Sequence, residues 1–361
     1  MADPRLPVTL LTGFLGAGKT TLLNAVLADA STGRIAVIVN EFGEAGLNHD
    51  LIETPGEDIT LMKSGCLCCS LRGELAEALL DLLARRDTGD LGFDRIVIET
   101  TGLAEPGPIV QTLVADRALT GVVRLDGIVT AVDAVNGVHT LETQFEAVEQ
   151  VALADLLLLT KPDLAGPAQR TAITARLRDI NPAAEIRETV RGAGMSGALW
   201  GLSAVGEGVS VEAAVAWTTL PQTQADPLAN LSGLAPRAPD PAPIHDNRIV
   251  TASVVIPDPI DGDVFDQWLG DLIALRGEKL LRLKGIVFLA DVALPFVFHG
   301  VQHIFHRPLP LREWKGGDRV TRVVVIARDV SKSRVQRNLD ALAHANAERA
   351  GLAQMKGSPP P

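Results

Sequence analysis

The run Gly13-Phe14-Leu15-Gly16-Ala17-Gly18-Lys19-Thr20 decides how the rest of the chain is read. It fits the pattern G-x-x-x-x-G-K-[ST]. Val8-Thr9-Leu10-Leu11 stands before it and reads as a buried strand; Thr21-Leu22-Leu23-Asn24-Ala25-Val26-Leu27 follows and reads as a helix. A polyphosphate site requires this order. Glycines let the backbone turn so that successive N–H groups face an anion. The helix then points its positive end at the same anion. In this reading Gly13, Gly16, Ala17, Gly18, Thr20 and Thr21 line the phosphates, Lys19 reaches the outer ones, and the Thr20 hydroxyl is offered to Mg²⁺.

Working outward, residues 35–39 form a second apolar strand, followed by Asn40-Glu41-Phe42-Gly43-Glu44. Ligands of open α/β sheets bind just past the carboxyl ends of strands. Glu41 is therefore a candidate for Mg²⁺ and Glu44 for a second metal; an ordinary solvated loop gives the same pattern. Residues 59–62 are a short strand, and Gly65-Cys66-Leu67-Cys68-Cys69 opens onto a helix carrying Leu71, Leu75, Leu79, Leu82 and Leu83. Thiolates at Cys66, Cys68 and Cys69 favour Zn²⁺ or another soft or borderline cation over Mg²⁺. Three such ligands leave a tetrahedral site open at one corner, which suits handing a metal over. A helix start also lowers thiol pKa. A buried apolar cysteine cluster and a redox pair are the alternatives, although C-x-C-C is not the C-x-x-C redox spacing.

Arg95-Ile96-Val97-Ile98-Glu99-Thr100-Thr101-Gly102 is a buried strand ending in an acid and a glycine. It reads as a Walker B strand, with Glu99 on the Mg²⁺ water shell and the Gly102 amide facing the γ-phosphate. Residues 125–133 and 155–160 supply further strands, and strands alternating with helices imply a parallel sheet covered on both faces. Thr160-Lys161-Pro162-Asp163 resembles the guanine-reading N-K-x-D. Asp163 would accept from the guanine N–H donors and the Lys161 stem would cover the ring. Thr160 stands where asparagine is usual, which removes an amide that braces the site.

The chain has 361 residues, 47% of them hydrophobic, enough for two packed cores. Its net charge of -11 argues against broad contact with nucleic acid or anionic membrane. No apolar run approaches the length of a membrane span, and the polar start at Met1 lacks a signal peptide. All three cysteines fall within four positions, which is no disulfide framework; a reducing compartment, the cytoplasm, is expected. The expected division is a nucleotide domain over 1–217, a Pro-, Ala- and Asp-rich linker over 218–247, a small α+β domain over 248–330, and a helix with a frayed tail over 331–361. In the third segment strands are expected over 248–256, 279–289, 295–305 and 321–328, with a helix over 263–276. His299 and His303 on one such strand lie roughly 13 Å apart, and His306 points the other way. One ion cannot join them, and surface or partner-contact histidines are expected.

Taken together, residues 13–20, 40–44, 65–69, 99–102 and 160–163 resemble the CobW family of P-loop GTPases. Leu283-Lys284-Gly285 and Gly300-Val301-Gln302 look like that family's second domain, so the resemblance covers nearly the whole chain. It implies an α/β P-loop fold with a mostly parallel, doubly covered sheet and a small C-terminal α+β domain. It implies GTP hydrolysis supported by Lys19, Glu99 and Gly102, with GTP and Mg²⁺ as cofactors. It further implies delivery of Zn²⁺, or of Co²⁺ or Fe²⁺, from Cys66, Cys68 and Cys69 to a client metalloprotein. A small-molecule kinase would also use the phosphate loop but leaves the cysteines without a role. A nucleotide-gated scaffold with vestigial thiols is the third reading.

Overall fold

The computed structural model describes residues 3–40, 59–64, 71–202, 248–274, 279–302, 304–305, 309–311, 314 and 319–356. Seven strands form one parallel sheet: β1 (Leu6–Gly13), β2 (Ile35–Asn40), β3 (Ile59–Ser64), β4 (Arg95–Glu99), β5 (Val123–Asp133), β6 (Leu156–Thr160) and β7 (Glu185–Thr189). Their order across the sheet is β3-β2-β4-β1-β5-β6-β7. β1 lies centrally, paired with β4 and β5, so the loop leaving it opens at the middle of the sheet's carboxyl edge. Six helices cross over this sheet: α1 (Lys19–Leu27), α2 (Leu71–Asp87), α3 (Pro106–Ala115), α4 (Gly137–Thr143), α5 (Phe145–Leu153) and α6 (Pro167–Ile180).

The apolar strands read as continuous because both faces are buried. Ile96 and Ile98 of β4, like Leu157 and Leu159 of β6, join one core with α2, α3, α5 and α6 residues. Val97, Leu156 and Leu158 point the other way, onto Leu22, Leu23 and Val26 of α1. Each such aliphatic side chain contributes about 1.5–3 kcal/mol by leaving water. The sequence pattern does not predict β7. It is an edge strand, and its charged alternation, Glu185-Ile186-Arg187-Glu188, carries little apolar signal.

The second sheet is antiparallel: β8 (Ile249–Ile256), β9 (Leu280–Val287), β10 (Phe296–Val301), β11 (Ile304–Phe305) and β13 (Thr321–Arg328) run in the order β11-β10-β9-β13-β8, with β12 (Leu309–Pro310) paired to β10. The helices Gly262–Ala274 and Lys332–Lys356 cover one face with Phe265, Trp268, Leu272, Val335, Leu339 and Leu342. From the other face Leu281, Val301 and Ile326 join the core of the first domain. The expected strand over 295–305 is broken into a hairpin: Val301 pairs with Ile304, and Gln302 between them has φ 56°. His299 is buried within the sheet, not on the surface as expected; His303 and His306 lie outside the described residues. Among the described residues no helix is long and apolar enough to cross a membrane.

Candidate functional site

A cleft of about 590 Å³ opens over the carboxyl ends of β1 and β4. Gly16, Gly18, Lys19, Thr20 and Thr21 line it on one side; Glu99, Thr100, Thr101, Gly102 and Leu103 line the other, with Lys161 at its rim. The loop is shaped by close approaches that tolerate no side chain. Gly13 has φ 139°, and a Cβ there would stand 2.4 Å from the Ala131 carbonyl oxygen. Gly18 caps α1 in the left-handed region. The first helix-capping bond runs from Leu22 N–H to the Gly18 carbonyl, so the N–H groups of Lys19, Thr20 and Thr21 precede the ladder. These orphan donors, at a helix start, are what an anion binds.

Lys19 Nζ folds over the loop and donates to the Gly13 carbonyl at 2.9 Å. The Thr20 hydroxyl donates to Glu99 Oε1 at 2.8 Å across the floor of the cleft. Glu99 is otherwise buried. Thr100 ties the two strands together, its N–H bonded to the Leu11 carbonyl and its hydroxyl to Thr12 Oγ1 at 2.8 Å. The next turn brings Gly102 against the phosphate loop: a Cβ there would lie 2.5 Å from the Leu15 nitrogen. Only glycine allows these two backbones to meet.

The segment from Thr160 to Asp163 is braced in a way the sequence did not reveal. Thr160 Oγ1 donates to the Ala17 carbonyl of the phosphate loop at 2.7 Å. The hydroxyl thus supplies the brace that an asparagine amide was expected to give. Lys161 takes φ 54°, uncommon outside glycine, and its Nζ donates to the Gly16 carbonyl and to Asp133 Oδ2, both at 2.8 Å. Burial alone would raise the Asp133 carboxyl. The Lys161 ammonium, the N–H groups of Val135 and Asn136 and the Asn136 amide outweigh it and hold Asp133 below the usual carboxylate range. Lys161 is thereby fixed as a bridge between the loop and β5. Asp163 follows on a 3₁₀ turn (Pro162–Leu164) in which Pro162 is buried and Asp163 is exposed.

Glu41, Glu44, Cys66, Cys68 and Cys69 lie outside the described residues. Their flanks are informative. β2 ends at Asn40, paired with Ser64 at the end of β3, and α2 begins at Leu71. Both connections therefore leave the carboxyl edge of the sheet, the edge that carries the cleft.

The amino-terminal half, residues 7–188, matches the model of the CobW/HypB/UreG nucleotide-binding domain. Residues 249–343 match the cobalamin synthesis protein cobW C-terminal domain. The chain is 37% identical to the zinc chaperone YjiA of Escherichia coli over 300 residues, 83% of this chain and 87% of that one. It is 30% identical to the zinc chaperone CobW of Pseudomonas aeruginosa over 380 residues, 93% and 91% of the two chains. The crystal structure of Zn(II)-bound YjiA GTPase from E. coli superposes with a TM-score of 0.69 at 30% identity, covering 94% of this chain and 99% of that one.

Proposed function

The chain belongs to the CobW/HypB/UreG family and carries the cobW C-terminal domain; from that premise we propose that it hydrolyses GTP and uses the cycle to pass zinc from Cys66, Cys68 and Cys69 to a client metalloprotein. The observation that carries the nucleotide half is the Thr20–Glu99 contact beneath a glycine loop. A hydroxyl and a carboxylate, both hard oxygen donors, suit Mg²⁺, which Thr20 and Glu99 would hold together with Glu41. When bound, Mg²⁺ draws charge from the phosphate oxygens.

The chain's own residues do the rest. Gly13, Gly16, Ala17, Gly18 and Thr21 wrap the phosphates with backbone N–H groups. Lys19 exchanges its loop carbonyls for the outer phosphates. The Gly102 amide faces the γ-phosphate. Asp163 selects guanine through paired hydrogen bonds, while Lys161 covers the ring. In this reading residues 1–217 form the GTPase domain, 218–247 a linker, 248–330 the second domain, and 331–361 a helix and tail.

Zinc is the cargo. Three thiolates with one open corner bind a borderline cation and release it to a fourth ligand; in this reading Glu44 completes or shields the site when GTP orders its loop. Relatives named zinc chaperone support zinc over Co²⁺ or Fe²⁺. The test is a Co²⁺ and Zn²⁺ titration of reduced protein with GTP–Mg²⁺ or GDP, in wild type and Cys66→Ser. One ion per chain, tighter with GTP and lost in the variant, is expected. By linkage the metal then raises GTP affinity by the same factor. Equal metal affinity with both nucleotides overturns the delivery cycle.

A further inference from the structure

Helix α5 touches both the turn that lines one side of the cleft and the second domain, through neighbouring residues. Gln150 is fully buried, and its Nε2 donates to the Gly102 carbonyl at 3.0 Å and to the Ala104 carbonyl at 3.1 Å. The Thr130 hydroxyl fixes the helix there by donating to the Gln150 carbonyl at 2.9 Å. Gly102 is thus held from two sides, by the Leu15 backbone and by this carboxamide. Gln150 Oε1 has no hydrogen-bond partner among the described residues. A buried acceptor left so is costly, and a side chain serving only to fill space would not carry it.

The second sheet grips the same helix along its length. The Arg248 guanidinium lies 3.9 Å over the Phe145 ring at the start of α5. Arg328 donates to Glu149, one residue before Gln150. Just past the helix end, Asp155 is buried against Arg282 and Lys284, the latter at 3.1 Å. Every one of these cations comes from β9, β13 or the start of the second domain.

We propose that Gln150 is a positioning residue for the triphosphate reaction: it sets the Gly102–Ala104 backbone at the cleft, and the second domain, through its hold on α5, sets Gln150. The inference rests on GTP occupying the P-loop cleft. It assigns the second domain a part in hydrolysis, with no residue of that domain touching the nucleotide.

The test compares full-length wild type, Gln150→Met and Arg328→Gln. The readouts are affinity for GDP, affinity for a non-hydrolysable GTP analogue, and kcat, each with Mg²⁺. Gln150→Met keeps the volume and removes both donors. It is expected to lower kcat and analogue affinity about tenfold while GDP affinity stays within about twofold. Arg328→Gln should move the same two quantities in the same direction, by about threefold. A merely structural Gln150 would weaken GDP and analogue equally, and that result, or no change in either, overturns the proposal. Should Gln150→Met fail to fold, Arg328→Gln decides alone: a change confined to analogue and kcat supports the inference, and any other result overturns it. If wild type binds neither nucleotide, the P-loop reading itself fails, which is a separate outcome.

Discussion

Thr160 and Lys161 sit side by side and do unlike things. Thr160 is buried, and its hydroxyl also reaches the Val132 carbonyl at 3.1 Å, so one side chain pins the phosphate loop to β5. Thr160→Val keeps the shape and removes the donor. It is expected to cost about 1–3 kcal/mol, the penalty for stranding buried carbonyls, and to weaken GDP and GTP alike, because the loop serves both. Urea denaturation and nucleotide titration measure the two effects; unchanged nucleotide affinity would mean that the loop is positioned without Thr160. Lys161, by contrast, holds a left-handed backbone conformation that costs of order 1 kcal/mol or more. That strain is offset by two hydrogen bonds that aim it across the loop.

At the scale of elements, α5 and the strands β9 and β13 behave as one unit. Burial alone would raise the Asp155 carboxyl, but the Arg282 and Lys284 charges and the Ile128 N–H hold it below the usual carboxylate range. Removing that anion leaves two cations buried without it. Asp155→Asn should therefore destabilise the protein by about 3–5 kcal/mol, read from equilibrium denaturation; a loss under about 1 kcal/mol would show that water reaches the site. None of this was legible in the sequence. The phosphate loop, β4 with Glu99, and the thiol run are local patterns, in which spacing along the chain encodes spacing in the site. Asp155 and Arg282 lie 127 residues apart, and Gln150 reaches a loop 48 residues behind it. Each looks alone like an ordinary polar residue in an apolar element. His299 misled for a different reason: its face of β10, shared with Val301, packs on the first domain. The break after Val301 escaped because Gln302 is a non-glycine residue in the left-handed region. β7 escaped because an edge strand keeps its charges.

For the whole molecule, the interface makes stability depend on pH in a definite direction. Burial pushes the Lys284 ammonium down to about 8, with Asp155 opposing and Arg282 assisting. Its ordinary value is 10.5. Between these the unfolded chain binds more protons than the folded one, so this group's contribution to stability rises with pH across that window. The Asp155 contribution is fully present above the ordinary aspartate range and disappears only in acid, as pH falls through its lowered folded value. Wild type should gain on Lys284→Met as pH climbs from about 8 towards 10, followed by denaturation at each pH; a constant difference would place the ammonium in a wetter setting. The same buried trio also has a birth order. At about 5–20 residues per second, the ribosome delivers Asp155 roughly 6–25 s before the Arg282 it must meet. Throughout that interval the nascent first domain carries Asp155 without the Arg282 and Lys284 cations that face it in the finished protein.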